Sequence, residues 1–414
     1  MIRGIQIILL LSVFCSFGQK TSAELIAIGQ ANYNNMRDDF WENCDYSTHL
    51  NSLKLYQTDN QVYSFVMHYG VTRNSQVIDD IITGYDDMIS DAVPVYGGNE
   101  GYLGWPSING PTNDKRALEG TPLHEFKMGG GMMAFLWLVR TDFDLWNTPA
   151  YQEKYNVYLA FMSTHVSGKW NQNQTQAQGF VIERENLHMA SESNEVELRL
   201  HYLTQGANPQ NLTNAQNFMF AGMPSKSDGN LRDNLDQGLA IPLPNNAWYE
   251  TWPNSSPSIH DWNHAVHMAA RLYMFWEMGF HLTEADMQRV AQTFESNLVG
   301  VNPITSNVNL DGTGGTRNAG TQVGFVMLSL FDTSLRNTLE NNVNTISSGS
   351  NNFLLASILA YNRLILEQGR PNAPSHYRPA DGEFDFGAGT TPPVDQPTLP
   401  FTIRQLKNFW FAFN

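Results

Sequence analysis

Apolar residues return every three or four positions along most of this chain, the spacing that lays one hydrophobic stripe along an α-helix. The stripe predicts helices over 49–70, 121–141, 148–166, 186–203, 258–279, 284–298, 333–347 and 351–368. Strict alternation of apolar and polar residues, the mark of a half-buried strand, is scarce. Stretches rich in Gly, Asn, Pro and aromatics separate the helices at 93–120, 168–183, 223–257 and 299–320. Loops of that length in a compact domain usually carry function. Many helices in antiparallel pairs suggest an all-α protein, built as an α/α toroid or as a helical solenoid. No repeat of fixed period is present, which favours the toroid, an incomplete helical barrel with long cleft-forming loops. The toroid is expected over 24–370, and 371–414 reads as an extended strap and apolar tail.

Composition narrows the class. The chain has 414 residues, 42% of them hydrophobic and 15% charged, enough for a real core. Arg3 followed by the apolar run Ile7 to Phe14 and small residues at Gly18 and Ser22-Ala23 reads as an export signal, ending at 18 or 23. The run is too short to span a bilayer, and no later segment resembles a span. A secreted or periplasmic location is the expectation. Cys15 would leave with the signal, so Cys44 has no partner for a disulfide. The net charge of −16 argues against nucleic acid as a partner. Aromatics make up 12%, which suits sugar-binding clefts and large cores alike.

Four segments could carry chemistry. In Ser256 to Gly279, Ser258 and Asp261 resemble a helix cap and Gly279 a stop. His260, His264, His267 and Arg271 recur at helical spacing on one face, while Trp262, Ala265, Ala269, Leu272 and Trp276 form the opposite, core-like face. That row is either a substrate-facing set, a polar face with satisfied core histidines, or a metal site. The last lacks an HExxH pattern or a matching carboxylate, so no metal and no cofactor are expected. Around Glu183 to Glu195, Asn186 and His188 open a helix, as cleft residues or as ordinary capping, with Glu192 and Glu195 on a solvated face. Asn307 to Asn318 is Gly-rich and holds Arg317, a candidate carboxylate clamp. Its spacing faintly matches a calcium loop but ends in Asn318 rather than Glu; a plain turn is the simpler reading. Val95 to Pro106, with Asn99 and Trp105, mixes Gly, Asn and aromatics as sugar-binding loops do, or packs as a surface loop. Tyr249 and Trp252 lie in the loop just before the histidine helix.

Together these residues resemble a known group. Trp252-Pro253, then His260-Asp261-Trp262-Asn263-His264, the helix ending Glu277-Met278-Gly279-Phe280, and Thr283 to Met287 are similar to the Asp-x-Ser-His helix of α/α-toroid glucuronan and alginate lyases. Leu310 to Gly315 before Gln322 to Asp332 resembles the Asp-Gly-Ser-Gly stretch and helix that follow there, and 121–170 is similar in style. The likeness covers roughly 120–368 and departs at Asn263, where Ser is usual. It implies a polysaccharide lyase that cleaves a uronate-containing polymer by β-elimination. Asn186, His188, His264 and Arg317 would neutralise the uronate carboxylate. Tyr249 or His264 would take the C5 proton. His188, His260, His267, Arg271, Asn99, Trp105 and Trp252 would bind the acidic polysaccharide, with positive potential concentrated along the histidine row to offset the overall charge. Two other classes fit the sequence: a glycoside hydrolase of the same architecture, with Glu185 and Asp261 as its carboxylates, and a non-catalytic glycan-binding envelope protein. The polymer, the mode of attack and the oligomeric state stay open.

Overall fold

The computed structural model describes residues 20–95, 101–106, 122–172, 187–221, 230–232, 234–235, 249–250, 258–301, 304–318, 323–346 and 349–367. The strap and tail at 371–414, and residues 1–19 of the proposed signal, lie outside them; the longer signal, to residue 23, would overlap the helix that begins at Ser22.

Twelve main helices are described, and they alternate between two layers. The outer layer holds α1 (Ser22–Cys44), α3 (Gln76–Ser90), α5 (Pro149–Phe161), α7 (Pro209–Gln216), α9 (Glu284–Ser296) and α11 (Thr333–Ile346). The inner layer holds α2 (Thr58–Thr72), α4 (Pro122–Thr141), α6 (Leu187–Leu203), α8 (Trp262–Glu277), α10 (Val323–Met327) and α12 (Ser350–Glu367). Each inner helix packs on the next, and α12 returns to α2, so the six close a ring. Around it, α1 and α11 cover α12, α3 covers α2, α5 covers α4, α7 covers α6 and α9 covers α8. This is an α/α toroid. Among the described residues no helix is long and apolar enough to cross a membrane.

The inner helices are apolar nearly all round because neighbours flank them on both sides, whereas a surface helix needs only one stripe. In α4 every residue from Glu125 to Val139 is buried. Trp262 of α8 shows how the layers lock: its ring meets Phe294 of α9 at 4.9 Å and Phe325 of α10 at 5.6 Å. Side-chain caps set where several helices begin. Thr21 and Glu24 cap α1 reciprocally, as Thr283 and Asp286 cap α9, and the Asp261 carboxylate accepts from the Asn263 and His264 amides at the start of α8.

Several boundaries differ from the periodicity. The expected helix 49–70 is three pieces, because Leu50 turns left-handed at φ 48° between one-turn helices and α2 starts only at Thr58. The expected 148–166 ends at Phe161 and widens into a π-helix over Met162–Gly168. Helix α8 starts at Trp262 rather than 258, since Ser258 belongs to a short strand and Asp261 alone caps. The stretch 299–320, read as loop, contains most of a small antiparallel sheet of three strands (Leu298–Val301, Ile304–Asn307, Thr316–Asn318).

Candidate functional site

Residues from the first turns of four inner helices meet at one mouth of the ring: Asp59 of α2, Lys127 of α4, His188 and Glu192 of α6, and His264 and His267 of α8. The floor of this mouth is a buried ion cluster around Arg271. Its guanidinium reaches Asp59 at 2.7 Å, Glu195 at 3.0 Å, and also Glu192 and the Tyr63 hydroxyl. Tyr63 donates to Glu195 at 2.9 Å, and Arg199 donates to the same carboxylate at 3.1 Å. Lys127 pairs with Asp59 at 2.7 Å and contacts His267 Nδ1 at 3.1 Å. Buried charges persist only when paired in this way. Glu192 keeps one oxygen, Oε1, without a hydrogen-bond partner. Burial pushes its carboxyl up to about 7, although Arg271 and Lys127 pull the other way. Burial holds the His267 imidazole well below its usual value, and the Lys127 charge adds to this.

Above the floor sits a group of histidines. The His188 ring lies 4.5 Å from that of His264 and 5.8 Å from that of His260. His260 and His188 are buried, while the side chains of His264 and Asp261 are 32% and 28% exposed and so face the mouth. His264 Nδ1 hydrogen-bonds the Asp261 carboxylate. Burial pushes Asp261 up, but the hydrogen bond and charge of His264, with help from His260, outweigh it and hold the carboxyl below its usual range. The strand hairpin after α9 fixes this corner from outside: the Trp262 amide donates to the Val308 carbonyl at 2.7 Å and the Leu310 amide to the His260 carbonyl at 3.0 Å. The hairpin's Gly-rich turn closes on its own side chains, with the Thr313 amide donating to Asp311 at 2.9 Å.

The sequence-predicted residues fall into three sets. His188, His260, His264 and His267 come together at the mouth. Asn186, Asn99, Trp252 and Glu185 lie outside the described residues. Tyr249 is described for its backbone alone, in a short strand opposite Ile259. Arg317 is half-buried on the last strand of the sheet, opposite Ser306. Two candidates turn inward instead. Arg271 is fully buried in the ion cluster, and Trp105 is fully buried with its indole N–H donating to the Met88 carbonyl at 2.9 Å. Neither presents a face to the mouth. Glu192 and Glu195, read as a solvated face, are buried against Arg271, which each of them contacts. Asp59, Lys127 and Tyr56 were missed. Lys127 had a signal, being a lone cation in the apolar run Phe126 to Val139; Asp59 and Tyr56 had none. Among the described residues the histidines are not grouped as a chelating set. The grouping of that kind is Asp45, Asp87 and Asp91 beside the end of α3.

No family model matches this chain, and no curated protein matches it. It aligns with a solved structure, an inactive variant of the alpha-1,6-mannanase GH76A of Salegentibacter sp. HEL1_6 in complex with alpha-1,6-mannotetrose. The alignment covers 82% of this chain and 99% of that one, at 10% identity and a TM-score of 0.43. At that degree of likeness no residue role passes from one protein to the other. The resemblance to glucuronan and alginate lyases is nevertheless corrected: the aligned protein is a mannanase, a glycoside hydrolase rather than a lyase. The physical basis for a polyuronate substrate is also absent from the floor of the mouth. Arg271 is sealed among the carboxyl groups of Asp59, Glu192 and Glu195, and His267 is held neutral, so neither presents a charge to the mouth as the expected row requires.

Proposed function

We propose that this chain is a glycoside hydrolase that binds its glycan at the mouth formed by α2, α4, α6 and α8. The observation that carries the reading is a pair of carboxyl groups whose surroundings push them in opposite directions. Asp261 is held ionised at the exposed rim, and Glu192 keeps its proton towards neutral pH on the floor. Glycosidic cleavage asks for that division, one carboxylate to activate water or stabilise the oxocarbenium ion and one carboxylic acid to protonate the leaving oxygen. Asp261 takes the first role, oriented by His264, and Glu192 the second. The segments that precede α4, α6 and α8 in the chain are rich in aromatics, Asn and Gly, a composition that fits a sugar ligand.

The test is a panel of neutral polysaccharides, α- and β-mannans, glucans and xylans among them, assayed for new reducing ends in water enriched in oxygen-18. Cleavage with label in the product is expected, and Asp261→Asn and Glu192→Gln should each lower turnover about 10²–10⁴-fold while remaining folded. Full activity in Asp261→Asn would sink the assignment. A second reading, glycan binding without cleavage, is favoured by one observation: Glu192 is only 1% exposed. Binding in the panel without any product would select it.

A further inference from the structure

A chain of polar contacts runs from the Asp59 carboxylate outwards: to Lys127 at 2.7 Å, from Lys127 to His267 Nδ1 at 3.1 Å, and from His267 Nε2 to the Tyr56 hydroxyl at 3.2 Å. Its polarity follows from counting protons. A lysine ammonium paired with a carboxylate has three N–H bonds and no lone pair, so it can only donate. His267 Nδ1 must therefore accept, and it does so with the lone pair of a neutral ring. The single ring proton of that neutral imidazole is then on Nε2. Nε2–H donates to the Tyr56 oxygen. The Tyr56 hydroxyl cannot spend its own proton on His267 and turns it elsewhere.

The tyrosine is built to hold this pose. Its ring sits edge-on between His124 at 5.5 Å and His267 at 5.7 Å, with the Lys127 ammonium 4.6 Å from its centre. His124 is itself tied to the Ser52 hydroxyl at 2.8 Å. Tyr56 stands half-buried, just ahead of α2, where the buried cluster meets the mouth. Burial, with the charges of Glu192 and Asp59 behind it, pushes the phenol well above its usual value, so it serves as a donor and not as a base.

We propose that Tyr56 is a fixed hydrogen-bond donor for a neutral sugar at the mouth, oriented by the Asp59–Lys127–His267 relay, and meets a hydroxyl or glycosidic oxygen of the ligand. The ligand class rests on the hydrolase reading above; the proton arrangement does not. Two measurements separate them. Nitrogen NMR of the histidine-labelled protein, with His267 assigned from the signals lost in His267→Gln, should show a neutral ring protonated on Nε2 at pH 7. An Nδ1-protonated ring or an imidazolium would overturn the donor assignment. Calorimetric titration with alpha-1,6-mannotetrose, cellotetraose and xylotetraose should find a sugar that binds. Tyr56→Phe, which keeps the ring, should bind it about 3- to 10-fold more weakly, the worth of one neutral hydrogen bond, while staying folded at the titration temperature even though the His267 Nε2–H loses its acceptor. Equal affinity in Tyr56→Phe overturns the proposal. No binding of any of the three sugars to the wild-type protein overturns the ligand class while the NMR result still reports on the relay.

Discussion

Glu197 shows what a single buried carboxyl does to this protein. It lies on α6, accepts from Ser167 at 2.7 Å and from Asn171 at 3.1 Å, and leaves its second oxygen without a partner. Burial moves it from 4.5 to about 7, against the pull of those two hydrogen bonds. A folded value above the unfolded one means that its contribution to stability is complete below pH 4.5. The contribution is lost as pH rises to about 7, a change on the order of 3 kcal/mol. Glu197→Gln cannot ionise. Urea unfolding at pH 5 and pH 8 should therefore show the variant gaining on the wild type between the two, and parallel behaviour would contradict this. None of this was legible in the sequence, where Glu197 is one acid among several on a helix. Burial is a property of what packs against a residue, not of its neighbours in the chain.

At the scale of elements, helix α4 carries an unusual run, Gly129-Gly130-Gly131, in the middle of an inner helix. On propensity alone each glycine there costs about 1 kcal/mol relative to alanine. Packing reverses the preference. A Cβ on Gly131 would stand 2.8 Å from the Asp59 Cα, and one on Gly130 would stand 2.8 Å from the Tyr63 hydroxyl. The missing side chains let α2 approach closely enough for Asp59 and Tyr63 to join the Arg271 cluster. Gly131→Ala must displace backbone rather than the end of a flexible side chain. It should lower the urea midpoint by an amount equivalent to about 1–3 kcal/mol, despite the better helix former. A raised midpoint would show that propensity wins. The same logic governs Gly324, whose Cβ would fall 1.8 Å from the Val266 carbonyl oxygen where α10 crosses α8. The helical stripes mark eight of the twelve helices, some with shifted bounds, and pass over α1, α3, α7 and the five-residue α10. Helix α1 is rich in Asn and Asp, which favour other conformations, and its buried Leu25, Gly29, Met36, Phe40 and Cys44 become a stripe only once α12 lies against it.

For the whole molecule, closing the ring is the decisive event, and His68 sits at the seam. It is buried between α2 and α12, with Ser357 Oγ 3.2 Å from its Nδ1 and the rings of Tyr33 and Phe353 around it. Burial lowers its value from 6.5 to about 4. A depressed histidine contributes stability that is present above 6.5 and is lost as pH falls through about 4, again on the order of 3 kcal/mol. Acid should thus loosen α12 from α2. In a melting series from pH 7 to pH 4, His68→Gln should lose less stability than the wild type, and equal losses would place the acid sensitivity elsewhere. His124, also held at about 4, would add to the wild-type and variant curves equally.

The sequence by itself determined the class of the fold, because a hydrophobic period near 3.6 is a local property that survives in any packing. It also singled out the histidine row, since His264 and His267 share a helical spacing wherever the helix goes, although His260 joins them from the segment before α8. It could not say which side of that row meets solvent. Arg271 continues the same spacing, yet it ends sealed among Asp59, Glu192 and Glu195, residues up to 212 positions away in the chain. The charge balance of the mouth is a sum over four helices, so only the tertiary structure decided it. The polyuronate expectation leaned on Arg271 as a free cation, and the partners that neutralise it are set by ring closure.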